Sequence, residues 1–134
     1  MKRRKIKVEQ RFGAVDDATE LLAVDIRDFC SEELTYRATL CLSEALSNLI
    51  KYCNQSGDIT VSLEIGEKEV LLEVFDPPGS NAFDPFMEQA ELGSIPPEAE
   101  CGRGVALIKY LANEAQYFPS KSSSRMQLKF VEQL

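Results

Sequence analysis

The chain contains no histidine, and its four cysteines show no C-x-x-C spacing. Without histidine there is no His-based triad, no usual zinc site and no autophosphorylation on histidine. Three of the cysteines (Cys30, Cys41 and Cys53) lie in expected helical stretches, so they and Cys101 read as reduced packing thiols. No apolar run approaches the ~20 residues that span a bilayer, and the first residues lack a signal-peptide core. The expectation is a cytoplasmic protein with no membrane partner. Positive charge is scarce as well: 15 Lys and Arg against 22 Asp and Glu leave a net charge of −7. That balance argues against nucleic-acid binding, which needs Lys and Arg to neutralise phosphates. Lys2, Arg3, Arg4, Lys5 and Lys7 are crowded together and read as the solvated start of an edge strand, ahead of an arm for an acidic partner.

What is present is ordinary for a globular protein, with 44% apolar and 28% charged residues in 134. The length suits one domain over residues 1–134. Alternation over Lys5–Phe12 predicts a half-buried strand ended by Gly13. Asp16 or Asp17 is then the candidate cap of a helix running to about Cys30, with Ala18, Leu21, Leu22, Val24 and Phe29 available for packing. Ser31 is the candidate cap of a second helix reaching Tyr52 or Cys53, whose buried face is Leu34, Ala38, Cys41, Leu42, Ala45, Leu49 and Cys53. Ile59 to Gly66 and Glu69–Phe75 read as a hairpin turning at Glu67 and Lys68. Periodicity lapses from Pro77 to Cys101, which marks a lid or an insert. Gly102-Arg103-Gly104 opens a third helix, Val105–Ala112, and Glu114–Phe118 and Met126–Val131 are the last strands. The order implies an α+β two-layer sandwich, a mixed and mostly antiparallel sheet with three helices on one face.

Three pieces of this chain are chemically suggestive. Glu44 and Asn48 lie four residues apart, on one face of the second helix and at the rim of its apolar stripe, with Arg37 and Lys51 on the same side. A plain solvent face would favour Glu paired with Lys, worth about 0.2–0.5 kcal/mol, and asparagine also has poorer helix propensity. Asp76 stands at a strand end before Pro77-Pro78-Gly79. Gly102 and Gly104 flank Arg103 at a helix start, where free N–H groups and the helix dipole favour an anion. Each piece alone has an ordinary explanation, as a rim residue, a loop or a turn.

Taken in order, E-x-x-x-N on a helix, a strand ending in Asp, a proline-rich lid and G-x-G at a helix start resemble the GHKL (Bergerat-fold) ATPases. The small size, Phe83-Asp84-Pro85 and the run Gly102-Arg103-Gly104-Val105-Ala106-Leu107-Ile108 are similar to the bacterial anti-sigma-factor serine kinases of that superfamily. The resemblance covers nearly the whole chain. It implies a Bergerat ATP-binding fold with ATP and Mg²⁺ as cofactors, Asn48 as the metal ligand and Glu44 as the general base. Asp76 would accept from the adenine amino group, and Gly102, Arg103 and Gly104 would meet the phosphates. Gly79 and Ser124 complete the implied nucleotide-binding set, Ser123-Ser124 standing where the family has Gly-Thr.

This chain departs from the family pattern in places. Pro78 holds the position of the first glycine of D-x-G-x-G, fixing φ and removing an N–H. Tyr52 stands where histidine is frequent. The expectation is an ATP-Mg²⁺-dependent protein serine kinase and anti-sigma factor, a homodimer that binds a sigma factor or a STAS-domain antagonist and phosphorylates the antagonist. The alternative is a docking module of the same fold that binds nucleotide with weak turnover, and the plainest reading is a structural domain.

Overall fold

The computed structural model describes residues 1–53, 55–80 and 103–133, with the side chain of Arg103 excepted. Within them the order is β1 (Lys2–Val8), α1 (Phe12–Arg27), α2 (Glu32–Tyr52), β2 (Ile59–Gly66), β3 (Glu69–Phe75), α3 (Arg103–Leu111), β4 (Glu114–Phe118) and β5 (Arg125–Val131). The strands form one five-stranded sheet in the order β1-β2-β3-β5-β4. All four pairings are antiparallel, where a partly mixed sheet was expected.

One face of the sheet carries the core. Val8, Ile59, Val61, Leu63, Ile65, Val70, Leu72, Val74, Met126, Leu128 and Phe130 alternate inward and are buried. The helices supply the opposing layer, with Leu22 and Ile26 from α1, Leu34, Ala38, Cys41, Leu42, Ala45 and Leu46 from α2, and Ile108 from α3. Truncating a leucine in this layer, such as Leu46, typically costs about 2–5 kcal/mol. The expected α2 stripe holds, except that Leu46 joins it while Leu49 and Cys53 are only partly buried. The outward face is polar and laced with ion pairs, among them Arg3–Glu64 at 3.2 Å and Arg125–Glu73 at 2.8 Å.

The first expected boundary moves. Alternation continues through Phe12, yet β1 stops at Val8 because its register partner Ile59 is where β2 begins. The chain turns instead, Arg11 N–H donating to Glu9 O at 2.8 Å, and α1 starts at Phe12 with Gly13, Asp16 and Asp17 inside it. Arg11 is its N-cap and makes no side-chain cap bond. Leu21, Val24 and Phe29 are exposed, and Ala14, Val15 and Ala23 take the packing positions assigned to them. The buried carboxylate of α1, Asp25, meets Lys2 Nζ at 2.8 Å and the Arg4 guanidinium, pinning α1 to the edge strand. Burial pushes Asp25 up, but the hydrogen bonds and charges of Arg4 and Lys2 outweigh it and hold its carboxyl below the ordinary value.

Helix α2 starts as expected, Leu34 N–H donating to Ser31 Oγ at 3.1 Å. Glu132, just past β5, accepts from both Ser31 N–H and Ser31 Oγ at 2.7 Å. Those two bonds draw its carboxyl below the ordinary range. At the other end Gln10 Nε2 donates to Gln55 O and Gly57 O, each at 2.8 Å, fastening the α2–β2 connection to the β1–α1 turn.

Candidate functional site

Helix α3 runs antiparallel to α2, and the two contacts that establish this also place the site. At the far end of α3, Arg37 Nη1 donates to Leu111 O at 3.0 Å and Asn113 Oδ1 at 3.1 Å, while Nη2 donates to Val131 O at 2.7 Å. At the near end, a Cβ added to Gly104 would fall 2.6 Å from Glu44 Oε2. Arg37 to Glu44 and Leu111 to Gly104 are equal spans of seven residues, about 10 Å of helix each. The expected grouping of Arg37 with Glu44 and Asn48 is therefore corrected. Arg37 is buried and committed to the fold, and Lys51 points to solvent.

The Glu44 carboxylate lies against the first turn of α3, where unbonded N–H groups and the helix dipole give positive potential. Glycine at 104 is what lets it come so close. Asn48 is one turn further along α2, about 6 Å beyond Glu44 and past the start of α3. Both side chains are half-buried. Among the described residues, neither the Glu44 carboxylate nor the Asn48 amide has a hydrogen-bond or ion-pair partner. Cys41, one turn before Glu44, is buried, and burial pushes its thiol up to about 12, which makes it an inert packing group.

The C-terminus of α2 meets the segment that follows β3. Cys53 Sγ lies 3.2 Å from Ser80 Oγ, and the Gln55 side chain comes within 4.0 Å of a Cβ built on Gly79. Pro77 to Ser80 form a tight turn, Ser80 N–H donating to Pro77 O at 3.2 Å and Ser80 Oγ donating to the same oxygen at 2.7 Å. Gly79 takes φ +84°. Proline then glycine with positive φ at the two central positions is the pattern of a type II turn. Pro78 thus sits where the turn needs no N–H, and Gly79 is required by the turn itself.

Asp76 stands immediately before this turn and is only 8% exposed. Its N–H donates to Ser124 O at 2.8 Å, Ser123 Oγ donates to Asp76 O at 2.7 Å, and Tyr117 Oη donates to Asp76 Oδ2 at 2.8 Å. Burial pushes the Asp76 carboxyl up, and the Tyr117 bond partly offsets it. Ser124 is buried, and its Oγ accepts from Ser120 N–H at 3.0 Å. The structure therefore joins Glu44 to Gly104, and Asp76 to Ser124. It sets Asn48 on α2 between the Gly104 contact and the Cys53–Ser80 contact. Gly102, Cys101 and most of the expected 77–101 lid, Phe83-Asp84-Pro85 included, fall outside the described residues, as does the side chain of Arg103. Ser123 was expected only as the neighbour of Ser124 in place of Gly-Thr, and Tyr117 and Ser80 were not anticipated as site residues. Only Tyr117 left a signal, a phenol on the inward register of a strand, where its hydroxyl must find a partner.

The fold that carries these residues has a known counterpart. Residues 12–130 match the family model of the histidine kinase-like ATPase domain. The chain belongs to that family. The GHKL resemblance read from Glu44, Asn48, Asp76 and Gly104 is thereby upheld, and so is the α+β sandwich. No curated protein sequence matches the chain. Among solved structures, it is similar to the RsbU and RsbW domains of Rv1364c from Mycobacterium tuberculosis, with a TM-score of 0.70 and 14% identity, over 98% of this chain and 32% of that one. It is also similar to the Acinetobacter baumannii histidine kinase AdeS, with a TM-score of 0.51 and 19% identity, over 98% of this chain and 68% of that one. The chain thus spans about a third of the first of these. At such identities the likeness is one of fold. Among the described residues no helix is long and apolar enough to cross a membrane.

Proposed function

We propose that this domain binds Mg-ATP between α2, the start of α3 and the end of β3, and transfers phosphate to a serine of a protein partner. The observation that carries the reading is the pair of half-buried, unpartnered side chains, Glu44 and Asn48, beside the N-terminal turn of α3. Groups held at the edge of a core without a structural partner are what a ligand site requires.

The donors suit the ion. Asn48 offers an uncharged hard oxygen, and among the described residues no cluster of three acidic or sulfur side chains forms an all-protein cage. Magnesium is commonly held this way, by few protein ligands plus phosphate and water. Bound Mg-ATP would supply the phosphoryl group and neutralise the charge that develops on it. Within this chain, Asn48 would hold the ion and Glu44 would take the proton from the incoming serine hydroxyl. The α3 N-terminus, with Gly102, Arg103 and Gly104, would bind the phosphates. Asp76 would accept from the adenine amino group, over the Gly79 turn and beside Ser124.

The fold likeness to the RsbU and RsbW domains is in keeping with a place in a partner-switching circuit, with a sigma factor or a STAS-domain antagonist as partner; a homodimeric state and a cytoplasmic setting belong to the same proposal. Calorimetry with Mg-ATP, followed by incubation with STAS proteins of the same genome and intact-mass measurement, tests both halves. Absence of any Mg-ATP binding would sink the reading. A second reading, binding with little turnover and regulation by docking, is favoured by Pro78, which removes one N–H beside the nucleotide. Tight binding without a mass gain on any partner would select it.

A further inference from the structure

Asp76 is a buried carboxylate of which only one oxygen is used. Tyr117 Oη donates to Oδ2 at 2.8 Å, while Oδ1 accepts no hydrogen bond among the described residues. Since Oδ1 is not among the fully buried polar atoms of the described residues left without a partner, the 8% of Asp76 that remains open includes this oxygen, which a ligand can reach. Tyr117 reaches it across a strand. It lies on β4 opposite Met126 of β5, and β5 separates β4 from β3. The β5-side residue level with Asp76 is Ser124, whose carbonyl accepts the Asp76 N–H. Its short side chain leaves the phenol room to cross.

We propose that Tyr117 is the positioning residue that decides which purine this site accepts. By holding Oδ2 it fixes the rotation of the carboxylate and leaves Oδ1 as the acceptor for a six-amino group. Carboxylate rotation about its last bond is broad and two-fold without such a restraint. Burial raises the Asp76 carboxyl, and the Tyr117 bond works in the opposite direction, towards the ionised form that accepts. An ionised acceptor discriminates against a six-oxo purine, which would bring an oxygen to an oxygen. Tyr117 needs no contact with the nucleotide, since it acts through Asp76. The inference rests on the nucleotide-binding reading above.

The test is calorimetry of the full chain with Mg-ATP and Mg-ITP, which differ in the amino or oxo group at purine C6 and in the proton that N1 carries in the oxo form. The wild-type protein should prefer ATP, and Tyr117→Phe should reduce the ATP/ITP ratio by on the order of tenfold. In transfer assays KM for ATP should rise while kcat at saturation holds, because the bond acts on binding at the base end. A purely structural tyrosine would lower the melting temperature without moving the ratio. Asp76→Asn should abolish the preference, and adding Tyr117→Phe to it should cause no further change. If Tyr117→Phe fails to fold, 3-fluorotyrosine placed at 117 keeps the shape but strengthens the donor, and the ratio should then rise. A wild-type protein that binds neither nucleotide defeats the ATP reading, and the proposal with it. A wild-type preference for ATP left unchanged by Tyr117→Phe or by the fluorinated residue overturns the role of Tyr117 alone.

Discussion

Two carboxylates lie beside helix N-termini in this domain, and the fold treats them differently. Glu132 at the start of α2 accepts Ser31 N–H and Ser31 Oγ, both at 2.7 Å. Glu44 at the start of α3 accepts nothing among the described residues, although it packs on Gly104. The contrast extends along α2. Its first half spends polar groups on the fold, with Ser31 as cap and Arg37 tied to Glu33, Leu111, Asn113 and Val131. Its second half leaves Glu44 and Asn48 uncommitted at the edge of the same core. The first half of α2 is tied to the fold through Ser31 and Arg37, and the second leaves Glu44 and Asn48 without partners among the described residues, the difference expected if that end serves the proposed ligand.

The largest effect that could break this division is Glu44→Gln. Phosphate transfer should fall by about 10²–10⁴-fold, the usual share of a general base. Unfolding free energy should stay within about 0.5 kcal/mol, since no structural bond is lost. Transfer at the wild-type rate would remove Glu44 from the chemistry. Next comes Gly104→Ala. Alanine should help the helix by up to about 1 kcal/mol, yet its Cβ would come within 2.6 Å of Glu44 Oε2 and displace the carboxylate. Transfer should fall by up to about 10²-fold, as for other small misplacements of a reacting group. A more stable protein with unimpaired transfer would show that the close approach has no role.

Arg37→Ala probes the opposite half. It strips donors from two main-chain carbonyls and Asn113, while Glu33 is left largely in water. Chemical denaturation should show a loss of about 2 kcal/mol. Mg-ATP affinity of the folded protein should be unchanged. A selective loss of affinity with stability intact would mean that the division of α2 is drawn in the wrong place.

How much of this was legible in the residues depended on whether local pattern or a remote partner decided. Glu69–Phe75 and Glu114–Phe118 were readable to the residue because alternation and turn signals coincide there. The end of β1 was not, since β1 ends at Val8 opposite Ile59, where β2 begins, a length set by a strand about fifty residues away. The proximity of Glu44 and Asn48, the candidate pair on α2, was readable as a spacing on one face. That Arg37 serves the other end of α3 was not, because a helical wheel gives a face and not the direction in which a long side chain reaches. Tyr117 escaped for a similar reason. Nothing near it in sequence announces a bond to Asp76 across an intervening strand.

The smallest effect sharpens the comparison with two aspartates. Asp25 is held below its ordinary value near 3.8 by Arg4 and Lys2, while Asp76 is pushed above it by burial. A lowered carboxyl contributes stability above its unfolded value and loses it as pH falls through the folded one. A raised carboxyl does the reverse: folding is favoured while it is protonated, and that advantage is lost as pH rises through the folded value. Asp25→Asn should therefore be less stable than wild type at neutral pH, with a deficit that closes under acid as wild-type Asp25 itself becomes protonated. Asp76→Asn should be as stable as wild type or more so at neutral pH, with any advantage fading towards 3.8, while its preference for adenine is gone. Urea midpoints from about pH 3 to about pH 8 would separate the two. If both variants ran parallel to wild type across that range, neither aspartate would be coupled to folding in the way their surroundings require. If the curves diverge in opposite directions, one carboxylate serves the fold and the other is kept ionised at a cost to it, for the sake of a ligand.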